Sequence, residues 1–134
     1  MPEISYDAAP DGYRPGACNI GPAEIARRRR SGIAGLAIAG VLAAALLVLD
    51  APIVMRWLVA LPLAGGAIGL LQVRFRFCAA FGLAGVRNFG TPGTTQRVED
   101  AAARRADRAK AAWIALAGIA IGVAGALILV LLPV

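Results

Sequence analysis

The sequence predicts an all-α membrane protein with three transmembrane helices, and three observations carry that prediction. The chain of 134 residues is 59% hydrophobic, with a mean hydropathy of +0.71 but only 6% aromatic residues. That balance is too apolar for a water-facing domain of this size. The apolar residues also gather in runs, at 31–49, 53–73 and 111–132. A helix rising ~1.5 Å per residue needs about 20 such residues to cross the ~30 Å core of a bilayer. Finally, the charges collect where the runs begin and end. Arg27, Arg28, Arg29 and Arg30 stand immediately before the first run, and Arg74 and Arg76 come after the second.

The sidedness follows from those arginines, because clusters of basic residues resist translocation. The segments before the first run and between the second and third are basic, whereas the Asp50 turn and the C-terminus are not. The expected threading is therefore N-terminus inside, three crossings, C-terminus outside. The formal charge of +6 does not point to nucleic acid, since the basic residues are not interleaved with aromatics along a soluble face. Anionic lipid head groups are the expected partner. Among the basic residues only Lys110 is lysine. With the abundance of Ala and Gly this suggests GC-rich coding, hence a bacterium and its cytoplasmic (inner) membrane.

Taken in order, residues 1–21 are rich in Pro and Gly with scattered acids, the composition of a flexible cytoplasmic tail when alone. Gly21-Pro22-Ala23-Glu24 is a helix start, with proline in the first turn and an acid at the positive end of the macrodipole. That helix is expected to run through the arginines into the first span. The run is long for the apolar part of a cleaved leader, so an uncleaved signal-anchor is expected. Asp50-Ala51-Pro52 breaks the chain, with Asp50 placed to cap the next helix. Residues 22–73 thus form a helical hairpin, with spans at about 31–49 and 53–73. Arg56 near the start of the second span is expected to snorkel to the outer head groups or to pair with Asp50. Pro62, Gly65, Gly66 and Gly69 should make this span the least regular.

Residues 74–110 form a basic cytoplasmic segment. Its first part, 74–86, is too short to cross and either extends the second helix or lies in the interface. Phe77 and Phe81 would share a face if it were helical. Asn88 to Thr95 reads as a loop, and 98–112 as a charged helical stretch that leads into the third span, 111–134. Trp113 marks the inner interface of that span.

The candidate functional residues fall into four groups. Small residues at four-residue spacing, among them Gly35 and Ala39, Gly65 and Gly69, and Gly118 and Gly122, are ridges on which helices approach closely in lipid. Arg27, Arg28, Arg29, Arg30, Arg74 and Arg76 are candidates for contact with lipid or a partner. Arg56 is the expected interfacial anchor. Cys18 and Cys78 share the cytoplasmic side beside guanidinium groups, a setting that activates thiols, and are a candidate redox pair or half of a metal site. Gly82, Gly85 and Gly90 lack the strand and the lysine that a phosphate loop requires.

The chain has no histidine, the usual haem and zinc ligand and the default general base, and no acid within the spans. No catalytic residue, cofactor or metal is expected. The expectation is a small accessory or scaffolding subunit of a larger membrane complex that packs against other membrane subunits or itself. The alternatives are a homo-oligomeric channel or small-solute transporter, and a thiol-dependent redox or metal-binding protein.

Overall fold

The computed structural model describes residues 12–133, and they are mostly helical. Helix α1 spans Pro22–Val48, α2 Ala60–Phe75, α3 Ala79–Ala84 and α4 Ala101–Leu131. A 3-10 helix, Ile53–Val59, runs directly into α2. Three helical stretches, Pro22–Val48, Ile53–Phe75 and Ala101–Leu131, are long and apolar enough to cross a membrane. The chain is thus a multi-pass membrane protein by the length and apolarity of its helices.

Proline at the first position starts α1 after an extended Gly21. The helix ends where Asp50 takes a left-handed conformation, φ +51°, which aspartate tolerates better than most residues. Asp50 does not cap the second span: the 3-10 helix begins after Pro52 with no side-chain cap. The irregularity of the second span lies ahead of Pro62 rather than at it. Pro62 falls in the first turn of α2, where a missing N–H leaves no α-helical bond unmade. At the other end of the chain Asp100 caps α4, its side chain accepting from Ala103 N at 3.0 Å.

Helix α2 packs against both α1 and α4. At the α1–α2 seam Gly32 and Gly35 meet Gly66 and Gly69. A Cβ on Gly35 would stand 2.8 Å from Gly66 Cα, and one on Gly69 2.7 Å from Gly32 Cα, so the two backbones touch. At the α2–α4 seam Gly118 lies against Ile68, and a Cβ on Gly122 would reach within 2.7 Å of the Ala60 carbonyl oxygen. Ala39 is buried beside Leu46 and Val59. Gly65 corrects the expected ridge: nothing lies within 4 Å of where its Cβ would be, and the buried partner of Gly69 is Gly66. Spacings of three and four both share a helical face, and burial selects the former here.

The basic end of the bundle carries a cap. Helix α2 stops at Phe75, with Arg76 in the left-handed conformation, so the second helix does not continue through 76–86. The chain then turns into α3, and Gln72 Oε1 accepts from Ala79 N, in the first turn of α3, at 3.0 Å. Phe77 precedes α3 and is fully buried against Ala79, Ala111 and Ile114. It therefore shares no helical face with Phe81. Two short strands, β1 Val86–Arg87 and β2 Gln96–Arg97, pair antiparallel and close the 88–95 loop.

Candidate functional site

Residues 12–21 form a strap across the cap, and this revises the expectation of a flexible tail over these positions; residues 1–11 lie outside those described. Arg14-Pro15-Gly16-Ala17 is a tight turn, with Ala17 N donating to Arg14 O at 3.0 Å and Gly16 at φ +67°. Proline second and a positive-φ glycine third make it type II. The turn brings Gly16 N to 2.7 Å from Asp107 Oδ1, while the Tyr13 hydroxyl donates to Asp107 Oδ2 at 2.6 Å. Asp107 precedes the third apolar run and is fully buried. Burial pushes its carboxyl above the usual carboxylate range, and the bonds from Gly16 and Tyr13 pull the other way. Tyr13 is also pushed up, first by burial, then by its bond to Asp107 and that group's charge. The Arg87 guanidinium lies 4.7 Å from the Tyr13 ring centroid.

A second knot holds the other end of the strap. Asn19, fully buried, accepts from Cys78 N at 2.7 Å and donates to Cys78 O at 3.1 Å. Its main chain accepts from Asn88 N, and Gly21 N donates to Asn88 O. The Asn88 amide donates to Glu24 Oε1 at 3.2 Å and to Thr91 O at 2.9 Å, which ties the 88–95 loop to the first turn of α1. Glu24 is fully buried and ion-paired with Arg28 at 3.2 Å and, more loosely, with Arg27 at 4.0 Å. Arg28 also donates to Cys78 Sγ at 3.0 Å and lies over the Phe81 ring.

The four consecutive arginines therefore divide. Arg28 faces the knot, Arg27 is exposed near Glu24, and Arg30 is exposed. Arg29 joins Arg14, Arg74 and Arg76 along a cleft of about 900 Å³ between the strap, the start of α1 and the end of α2. Cys18 also lines this cleft, whereas Cys78 is buried in the knot, and no disulfide joins the two. Among the described residues no group of three His, Cys, Asp or Glu side chains is placed to hold a metal.

Arg56 departs from its expected role. It is 2% exposed, and Nη1 donates to the carbonyls of Leu129 at 3.0 Å and Leu132 at 3.2 Å. It reaches neither outward nor to Asp50 because the last turn of α4 offers carbonyls with room for a further donor and the negative end of its dipole. Tyr13, Asn19, Glu24, Asn88 and Asp107 have no counterpart among the candidates drawn from the sequence. Asp107 is the most concealed, being one acid in a stretch of alternating charges. Compared with family models, curated proteins and solved structures, the chain matches none.

Proposed function

We propose that the chain is a small non-catalytic accessory or scaffolding subunit of a larger bacterial membrane complex, threaded with its N-terminus in the cytoplasm and its C-terminus outside. The observation that carries the reading is the use made of the buried charges. Glu24, Asp107 and Arg56 are each engaged in holding one piece of backbone to another: the 88–95 loop to α1, the strap to α4, and the end of α4 to the second span. Groups that would serve chemistry or conduction are spent on rigidity. What results is a preformed basic platform on a glycine-packed bundle, suited to presenting a surface. A channel reading draws no support from Arg56, which is occupied by the carbonyls of α4. A thiol reading draws none from Cys78, whose sulfur is covered and bonded to Arg28.

Extraction in mild detergent followed by native mass spectrometry tests the proposal. Recovery in fixed stoichiometry with at least one other membrane protein is expected, and recovery as a lone monomer overturns it. A tag on the extreme C-terminus should react with an impermeant reagent in intact cells.

A further inference from the structure

We infer that the cleft lined by Arg14, Arg29, Arg74 and Arg76 binds the phosphate of an anionic membrane phospholipid. The inference rests on reading the three apolar helices as membrane spans. Its depth in the bilayer follows from chain order: Arg29 lies just before the apolar run that begins at Ser31, and Arg74 just after the one that ends at Val73. The cleft thus sits where hydrocarbon gives way to head groups. Its composition matches that boundary, with Ile20, Ile25, Val73 and Phe89 among its walls beside the guanidinium groups.

Among the described residues no carboxylate pairs with the charge in the cleft. The ion pairs among the described residues run from Arg27 and Arg28 to Glu24, and none involves the four arginines of the cleft. Two of the four are set by the backbone. Arg14 belongs to the turn locked onto Asp107, and Arg76 holds the left-handed position after α2, φ +52°, with its carbonyl accepting from Asn19 N at 3.2 Å. That position ordinarily takes glycine, so a guanidinium is kept there at a steric cost. Gly21 and Pro22 also line the cleft and bring the positive end of α1 to it. Planar guanidinium groups suit phosphate oxygens, and a head group with two phosphates matches four cations better than one with a single charge. The apolar walls favour a lipid over a free anion.

The test uses the full-length protein in phosphatidylcholine nanodiscs doped with phosphatidylglycerol or diphosphatidylglycerol, with bound lipid measured by native mass spectrometry. Incorporation into the discs as a helical protein checks the membrane reading separately. Diphosphatidylglycerol should be retained over phosphatidylcholine, and Arg29→Gln/Arg76→Gln should weaken that retention about thirtyfold. The control Arg97→Gln/Arg105→Gln removes the same charge outside the cleft and should change retention less than about threefold, since neither side chain lines the cleft and the attraction of a distant charge is screened. Equal losses in the two variants, or no preference for anionic lipid, overturn the inference. Displacement by inorganic phosphate as effectively as by the lipid assigns the cleft to a soluble anion and overturns it as well. Should the double variant fail to fold, Arg14→Gln and Arg74→Gln, tested singly, carry the same comparison, with a loss of about fivefold each.

Discussion

The Tyr13 hydroxyl donates to the Asp107 carboxylate at 2.6 Å across 94 positions of sequence, and joins the strap to the helix that forms the third span. The carboxylate is buried, and the Gly16 amide donates to its other oxygen at 2.7 Å. Tyr13→Phe should therefore loosen the strap by about 1–3 kcal/mol, the cost of leaving a buried acceptor short of a partner. Faster amide exchange confined to residues 12–21 and the first turns of α4 would record it.

The same pair sets a pH dependence. Both acids have raised pKa values in the closed strap, so each contributes stability that is complete below its open-state value and is lost as pH rises. For Tyr13 the loss begins at its ordinary value of 10.0, where the open strap would start to ionise and the closed one would not. Limited proteolysis of the strap should therefore accelerate from about pH 10 upward. In Tyr13→Phe, which has no phenol at this position, that alkaline step should be absent.

Helix packing gives a paired prediction. Gly35→Ala places a methyl against the backbone of Gly66 and should cost about 1–3 kcal/mol of bundle stability. Gly40→Ala and Gly65→Ala enter open space and should be neutral or stabilising by up to about 1 kcal/mol through helix propensity. Unfolding midpoints in mixed detergent micelles distinguish them, and equal effects at all three positions would contradict a glycine seam between α1 and α2.

Removing the Arg56 guanidinium should release the end of α4. Arg56→Gln loses charge-assisted bonds to Leu129 and Leu132 and should cost about 1.5–3 kcal/mol. Exchange should rise over the final turn of α4, and passage of solutes through reconstituted vesicles should stay at the level of the unmodified protein.

Arg28→Ala leaves Glu24 buried without its nearer cation and uncovers the Cys78 sulfur. A destabilisation of about 3 kcal/mol is expected from breaking a buried pair. In a Cys18→Ala background, maleimide should label Cys78 slowly in the parent and much faster in the variant.

The spans were legible because lipid selects for long apolar runs, and the start of α1 because Gly21-Pro22 fixes it through local backbone chemistry alone. Gly35, Ala39, Gly69, Gly118 and Gly122 announce close approach by size and spacing. Gly65 misleads because an i,i+4 spacing to Gly69 is as regular as the i,i+3 spacing of Gly66, and sequence does not say which face meets a neighbour. The cap was opaque for a different reason. Tyr13, Asn19 and Asn88 form no periodic pattern, and a segment rich in Pro and Gly has the composition of a tail until partners distant in sequence satisfy its polar groups. Arg56 shows the same limit, since the carbonyls it bonds lie 73 and 76 residues away.

Asp107 lies in the last quarter of the chain, so the fastening at Tyr13 has a consequence for biosynthesis. A ribosome must translate 94 positions beyond Tyr13 before the strap has anything to close upon. Until then residues 12–21 stay open to processing enzymes and chaperones, and products truncated before the third helix never shut them in.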